Sequence, residues 1–200
     1  MKNIYFILMA IFFLSGVNIS LGVTTGQSAP DFSLPDPQGE NHSLTDYRGK
    51  YVVLEWLNHD CPFVRKHYDS GNMQNLQKTY TAKDIVWLSL NSSAPGKQGH
   101  FSPDTCIELT KKKGASPTLI LLDPDGKVGK LYSAQTTPHM YVINPEGKLI
   151  YQGAIDNTSS VDPDDIPKSK NYVRAALDEA LNGKSVTEST TKSYGCSVKY

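Results

Sequence analysis

A predicted strand leads directly into a predicted helix through a cysteine, Cys61. The segment from Tyr51 to Leu57 is a short apolar run, and such runs are typical of buried strands. Cys61 and Pro62 follow after three polar residues. Because proline lacks the N–H that the first turn of a helix leaves unpaired, Pro62 predicts that a helix begins here. The chain therefore carries a thiol at a strand-to-helix junction.

Strands and helices alternate along the chain. Further apolar or alternating runs predict strands at residues 85–90, 118–122, 139–143 and 148–152. Helical spacing predicts helices over residues 62–80 with an interruption at 69–71, over 102–113, over 128–132 and over 173–181. The sequence from Asn144 to Gly147 predicts a hairpin turn. This order predicts an α/β fold, in which helices flank a central mixed β-sheet in the thioredoxin-like arrangement.

The N-terminal segment is typical of a signal peptide. Lys2 precedes an apolar run from Ile4 to Leu14, which has the length of an h-region and is short for a bilayer span. Small and polar residues follow and predict cleavage near Gly22. An uncleaved anchor that extends to Val23 is the alternative. We therefore expect an exported chain that is periplasmic or otherwise extracytoplasmic.

The rest of the chain has the length of a single domain. We expect a signal peptide at 1–22, a thioredoxin-like domain at 23–183 and a polar tail carrying Cys196 at 184–200. Lys and Arg together number 20, as do Asp and Glu. This balance gives no indication of a nucleic-acid partner, and after signal cleavage we expect no stable membrane insertion.

The sequence contains three cysteines, Cys61, Cys106 and Cys196. They form neither a CxxC pair nor a Cys/His cluster with zinc spacing, so we predict no metal and no cofactor. Export permits a disulfide, and the odd number leaves one thiol over.

The position of Cys61 favours a reactive thiol. A helix N-terminus presents unpaired N–H groups and the positive end of the helix dipole, which both favour the nucleophilic thiolate. His59, Arg65 and Lys66 are close enough in sequence to add positive charge, although solvated side chains are the alternative for His59 and Arg65. We therefore predict that the pKa of Cys61 is depressed. The alternative is that Cys61 is a small buried hydrophobic residue.

Two segments before the cysteine resemble a known family. They are residues 29–36, Ala-Pro-Asp-Phe-Ser-Leu-Pro-Asp, and residues 44–50, Leu-Thr-Asp-Tyr-Arg-Gly-Lys. Followed by an apolar strand and Cys61-Pro62, they resemble the alkyl hydroperoxide reductase and thiol-specific antioxidant family of the thioredoxin superfamily. The resemblance extends from Gln27 to Gly183. It implies a redox-active Cys61 with an antioxidant or thiol–disulfide exchange role.

The Thr137-Pro138 pair precedes a predicted strand, as the cis-proline of this family does. The resemblance implies that this peptide bond is cis and that the Thr137 backbone lies beside Cys61, where it can pair with an extended substrate. Substrate-positioning roles are expected for Pro62, Thr137, Pro138, Asn58, His59 and Arg65.

The chain also departs from the standard patterns of its relatives. Peroxiredoxins carry Pro-x-x-x-Thr/Ser-x-x-Cys, and here the two positions before the cysteine hold Leu54 and Asn58. They also use an arginine from a later strand, whereas no later predicted strand of this chain contains one. Thiol–disulfide oxidoreductases of this fold usually carry CxxC, and Val64 stands at the fourth position. Each standard mechanism therefore lacks one part.

Three functional hypotheses follow. The leading one is a thiol-based oxidoreductase with Cys61 as the nucleophile, a peroxide or protein disulfide or thiol as the substrate, and a separate thiol reductant as a partner. The second is a divergent peroxiredoxin with a distant resolving cysteine. The third is a non-catalytic binding or copper-handling module, in which Cys61, His139 and Met140 supply soft ligands. The second cysteine that related copper chaperones carry in the first loop is absent.

Cys196 is the predicted disulfide partner of Cys61. An extended chain from Gly183 to Cys196 is long enough to return across a domain of this size. The polar tail is also the segment least suited to packing, so we expect it to move without unfolding the core. Cys106, in the first turn of a predicted helix, is the alternative partner, because sequence alone does not fix the pairing. A further alternative is that Cys61 forms no disulfide, and that Cys196 is a free thiol in an ordered tail or pairs with another subunit.

Overall fold

The computed structural model describes residues 22–200. The apolar run of the predicted signal peptide therefore lies outside the described residues. Among residues 22–200, no helix combines the length and the apolar character that crossing a membrane requires.

Residues 22–200 contain nine short strands and five α-helices, joined by loops. The strands are β1 (Ser33–Pro35), β2 (Asn41–Ser43), β3 (Val52–Trp56), β4 (Val86–Asn91), β5 (Leu119–Leu122), β6 (Thr136–Thr137), β7 (His139–Ile143), β8 (Leu149–Gly153) and β9 (Cys196–Ser197). The helices are α1 (Pro62–Asp69), α2 (Asn72–Thr81), α3 (Pro103–Lys112), α4 (Lys127–Leu131) and α5 (Tyr172–Leu181). Two 3₁₀ helices, Leu44–Tyr47 and Pro163–Lys168, were not predicted.

The central sheet has the strand order β5-β4-β3-β7-β8. Strands β3, β4 and β5 are parallel, whereas β7 is antiparallel to both β3 and β8. The predicted hairpin turn between β7 and β8 is confirmed, since the Asn144 N–H donates to Lys148 O at 2.9 Å. The predicted α/β fold with a central mixed sheet and flanking helices is therefore confirmed. The junction between β3 and α1 therefore lies at the carboxyl ends of the parallel strands, in the middle of the sheet.

Side chains alternate between the two faces of the sheet and form two cores. On one face, Leu54 and Trp56 of β3 pack with Val128 of α4. On the other, Val53 of β3 packs with residues of α1, α2 and α5. Helix α1, which follows Cys61 directly, therefore packs on a buried apolar core.

A buried carboxylate, Glu55, ties α1 to the sheet. Its side chain is fully buried and accepts hydrogen bonds from Tyr68 Oη at 2.7 Å and Trp87 Nε1 at 2.7 Å. Gln77 of α2 and Ser89 of β4 also donate to it. Burial raises the pKa of Glu55, and the four donors oppose that rise. Buried polar groups need such partners, so this cluster fixes α1 and α2 in register with β3 and β4.

The end of the tail is packed, contrary to expectation. Tyr194 and Cys196 pack against the core beneath α1, and Val198 packs against the opposite core. Strand β9 pairs antiparallel with β6. The expectation that the tail is the least packed segment is therefore wrong for residues 194–200, because Tyr194 and Val198 pack against the two cores and β9 pairs with β6.

Candidate active site

Cys61 caps the N-terminus of α1, as predicted. Its backbone is extended, with φ −73° and ψ 125°, and Pro62 is the first helical residue. The Arg65 N–H donates to Cys61 O at 2.9 Å, and the Cys61 N–H donates to Asn58 O at 3.0 Å. The Cys61 side chain is 0% exposed. The thiol therefore lies at the positive end of a helix dipole and away from bulk water.

The backbone of Thr137 lies against this thiol. The Thr137–Pro138 peptide bond is cis, which confirms the prediction. The Cys61 thiol donates a hydrogen bond to Thr137 O at 3.0 Å. The expected proximity of Thr137 to Cys61 is therefore confirmed.

Strand β9 brings the second cysteine to the same place. In the antiparallel pair, Cys196 lies opposite Thr137 and Ser197 lies opposite Thr136. The Cys61 and Cys196 thiols lie close enough for each to shift the pKa of the other, and both are free cysteines. Cys196 is partly exposed, in contrast to Cys61. The tail therefore brings a second thiol to the Thr137 backbone, against which Cys61 also lies.

The two thiols have different acidities. Burial raises the pKa of Cys61, but the Cys196 thiol, the Thr137 side chain and the N–H groups of Val64 and Cys196 lower it by hydrogen bonding and prevail. Burial and the Cys61 contact raise the pKa of Cys196 to about 11. The Thr137 carbonyl accepts only from the protonated thiol, so it opposes ionisation without reversing the order. Cys61 therefore ionises first, and Cys196 keeps its proton and donates it to the Cys61 sulfur.

His59 does not supply the expected positive charge. Its side chain is turned inward and packs edge-on against Tyr68, with ring centroids 5.3 Å apart. Within residues 22–200, His59 Nδ1 has no hydrogen-bond partner. Burial, helped by the charge of Lys113, lowers the pKa of His59 to about 4. The prediction of a cationic His59 is therefore wrong, because the loop before α1 directs this ring into the protein.

The other predicted positioning residues have different environments. Asn58 accepts from the Asp60 N–H at 2.8 Å and donates to Gln98 O at 3.4 Å, so its amide holds the loop before Cys61. Pro62 and Arg65 are exposed on α1. Substrate-positioning roles stay predictions for all six residues: Asn58, His59, Pro62, Arg65, Thr137 and Pro138.

The alternative disulfide partner, Cys106, lies in a different part of the fold. It is buried in the first turn of α3, in a small cavity lined by Leu57, His59 and Phe101. Burial raises the pKa of Cys106. This environment favours an inert thiol, since reactive cysteines need groups that stabilise the thiolate.

The soft ligands proposed for copper are not assembled. His139 lies in a buried environment, where its Nδ1 accepts from the Gln135 N–H at 3.3 Å and contacts Tyr141 Oη at 3.1 Å. Met140 belongs to the core beneath α1, on the opposite face of β7. His139 and Met140 therefore cannot bind one ion together with Cys61. In the part of the chain that the structure describes, the one cluster of metal-type side chains is Asp36, Glu40 and His42.

A buried polar cluster next to the two thiols was not predicted. Tyr194 donates to Asp156 Oδ1, and His67 Nε2 lies 3.3 Å from Tyr194 Oη. Lys66 Nζ lies 3.9 Å from Asp156 Oδ2. Burial lowers the pKa of His67 to about 4, and burial together with the Asp156 hydrogen bond raises that of Tyr194. The only sequence signal for this cluster was a pair of polar residues, Lys66 and His67, on the inward side of α1.

Comparisons with known proteins agree with this geometry. A family model described as AhpC/TSA family matches residues 25–152. The thiol-disulfide oxidoreductase ResA of Geobacillus thermodenitrificans is 30% identical over 128 residues, which cover 58% of this chain and 72% of the relative. Peroxiredoxin Bcp of Bacillus subtilis is 27% identical over 111 residues, which cover 55% and 64%. A crystal structure of an uncharacterized conserved protein from Geobacillus kaustophilus superposes with a TM-score of 0.75 at 28% identity, and covers 88% of this chain and 92% of that one.

Proposed function

The chain belongs to the AhpC/TSA family, and we propose that it is an extracytoplasmic thiol–disulfide oxidoreductase with Cys61 as the nucleophile and Cys196 as the resolving thiol. The observation that carries this proposal is that the Thr137 backbone adjoins both cysteines: its carbonyl accepts from the Cys61 thiol at 3.0 Å, and Cys196 lies directly opposite it in the β6–β9 pair. The family includes both thiol-disulfide oxidoreductases and peroxiredoxins among the relatives of this chain. Thiol oxidoreductase chemistry is thus the general activity, and the residue roles are our proposal.

In the proposed reaction, the Cys61 thiolate attacks one sulfur of a substrate disulfide. A bond forms between Cys61 and that sulfur, and the other sulfur leaves as a thiolate. Cys196 then gives up its proton and attacks the Cys61 sulfur, which releases the second substrate thiolate and leaves a Cys61–Cys196 disulfide. Two electrons pass from the protein to the substrate, and an external thiol reductant restores the two thiols.

The acidities of the two thiols support these roles. The attacking group must be a thiolate, and Cys61 is the thiol whose pKa is lowered. Cys196, with a pKa of about 11, stays protonated until the substrate sulfur is bound and its own proton can leave with the departing thiolate. Burial of Cys61 also means that residues covering the sulfur must move before a substrate reaches it.

The surroundings of Cys61 support a disulfide rather than a peroxide as the substrate. Peroxide reduction needs donors that stabilise charge on the peroxide oxygens. The Asn58 amide is engaged with Asp60 and Gln98, and Arg48 Nη1 donates to Glu146 O at 2.7 Å in the turn between β7 and β8. These groups therefore serve the loops that hold them.

Export is part of the proposal. A Cys61–Cys196 disulfide persists in an oxidising compartment, and the first 22 residues have the composition of a signal peptide. The N-terminal sequence of the mature protein would then begin near residue 23.

Stopped-flow oxidation of the reduced protein tests the substrate class. We expect a small disulfide to oxidise Cys61 rapidly and hydrogen peroxide to do so far more slowly than it oxidises a dedicated peroxidase. Mass spectrometry of the product should show a Cys61–Cys196 disulfide. Peroxide oxidation at the rate of a dedicated peroxidase would instead identify a divergent peroxiredoxin. Inert cysteines with both oxidants would rule out both activities.

A further inference from the structure

One hydroxyl group, that of Tyr194, connects the C-terminal segment to α1 by hydrogen bonding. Tyr194 donates to Asp156 and can accept from His67 Nε2 at 3.3 Å. The Asn72 amide donates to His67 Nδ1 at 2.8 Å, which leaves the proton of the neutral ring on Nε2. The Tyr194 ring also packs against Phe63, with centroids 5.8 Å apart.

The groups that receive this hydroxyl are buried and rigid. His67 and Lys66 are 0% and 3% exposed, and Asp156 is 2% exposed. Lys66 Nζ also donates to Thr158 O at 3.2 Å, so each member of the cluster has a second contact. Buried polar groups that are fully paired have one strongly preferred arrangement. The Tyr194 hydroxyl is therefore held at a fixed place.

That fixed place is defined relative to Cys61. His67 and Lys66 belong to α1, the helix that Cys61 caps. A movement of α1 would therefore carry both the nucleophile and the groups that hold Tyr194. The tail is consequently aligned with Cys61 itself and not only with the sheet.

The backbone between Tyr194 and Cys196 is short and conformationally restricted. The one intervening residue, Gly195, has φ +133°, a conformation that residues with a Cβ rarely adopt. A Cβ at Gly195 would collide with the Thr137 carbonyl oxygen. Because one residue joins them and the chain passes this close to Thr137, the Tyr194 ring and the strand pair β6–β9 together determine where the Cys196 sulfur lies.

The other aromatic residue of the tail is held elsewhere. Tyr200 Oη donates to Ala134 O at 2.7 Å, and Lys130 Nζ of α4 lies 5.3 Å from its ring centroid. These contacts lie on the α4 side of the sheet. The segment 194–200 is therefore fixed on both sides of Cys196, and only the Tyr194 side is attached to the helix of the nucleophile.

We propose that Tyr194 is a positioning residue for Cys196, with Asp156 and His67 as the groups that hold its hydroxyl. The inference rests on the proposed pairing of Cys61 with Cys196. Tyr194 takes no part in electron transfer. It sets the effective concentration of the Cys196 thiol at the Cys61 sulfur, and so the stability of the disulfide that the two form.

Tyr194→Phe tests the inference, because it removes the hydroxyl and keeps the ring that packs on Phe63. The full-length protein is equilibrated in glutathione redox buffers, and the Cys61–Cys196 disulfide is quantified by mass spectrometry. We expect the equilibrium constant for disulfide formation to fall about tenfold, which corresponds to a reduction potential about 30 mV more positive. The first reaction of Cys61 with a small disulfide should not be slowed.

Tyr51→Phe is the matched control. It also removes one phenolic hydrogen bond, from Tyr51 Oη to Ala180 O at 3.2 Å, at a half-buried site on α5. Its reduction potential should equal that of the wild type. A second variant, Gly195→Ala, should shift the potential in the same direction as Tyr194→Phe, because the added Cβ displaces the link over Thr137.

The outcomes separate this inference from the proposed function. A wild-type protein that forms no Cys61–Cys196 disulfide overturns the proposed function. A wild-type disulfide whose potential is unchanged in Tyr194→Phe overturns the positioning role alone, whatever the result for Gly195→Ala. An equal shift in Tyr51→Phe would show a general effect of stability and would overturn it as well.

Discussion

Replacing Cys196 with alanine should lower turnover with disulfide substrates about 100-fold or more, because a thiol from solution must then replace one held at the Cys61 sulfur. The first reaction should still occur and should leave a mixed disulfide between Cys61 and the substrate. Cys106→Ala is the matched control, since Cys106 is a buried thiol on α3. Its turnover should equal that of the wild type. Steady-state assays with a small disulfide and mass spectrometry of the trapped intermediate measure both effects.

Two substitutions of Cys196 distinguish its role as a hydrogen-bond donor to Cys61 from its role as the resolving thiol. A serine hydroxyl can still donate to the Cys61 sulfur, whereas alanine cannot. In a Cys106→Ala background, the pH midpoint for Cys61 alkylation should therefore be higher in Cys196→Ala than in Cys196→Ser. Both variants lose turnover. Equal midpoints would contradict the role of Cys196 as a donor, and a Cys61–Cys106 disulfide in the wild type would contradict its role as the resolving thiol.

The junction between β3 and α1 was predictable because its causes are local. A short apolar run, a proline at the first helical position and a thiol between them specify a strand, a helix and an N-cap. Cys61 therefore lies where the sequence indicated. The orientation of His59 was not predictable, because whether a loop side chain turns inward depends on the space beside Tyr68, which distant segments create.

The place of the tail depended on partners that are far away in the sequence. Tyr194 is 38 residues from Asp156 and 127 residues from His67, and no periodic pattern connects them. The polar composition of residues 184–193 indicated a loose tail, and the aromatic residues after it determine how the chain end packs. The pairing of Cys196 with Cys61 was predicted from the reach and the expected mobility of the tail, whereas the observed alignment of Cys196 with Thr137 requires the strand pair β6–β9.

Acid should destabilise the protein strongly through three buried histidines, His59, His67 and His139. Burial lowers the pKa of each to about 4, with Asp156 opposing the change at His67. An unfolded histidine has a pKa of about 6.5. Between these two values the unfolded chain binds protons that the folded chain does not, so the free energy of unfolding falls as the pH is lowered. The contribution of the neutral histidines to the free energy of unfolding is fully present above pH 6.5 and is lost progressively toward pH 4.

Each of these histidines should account for about 3 kcal/mol of that loss, which is a large part of the stability of an ordinary domain. Denaturant unfolding between pH 7 and pH 4 measures it. His59→Phe should flatten the pH dependence by one proton, because the ring can keep its contact with Tyr68 and His59 Nδ1 has no partner within residues 22–200. His100→Gln, at an exposed histidine, is the control and should leave the slope unchanged. A slope that is the same in the wild type and in His59→Phe would show that His59 ionises within the folded protein.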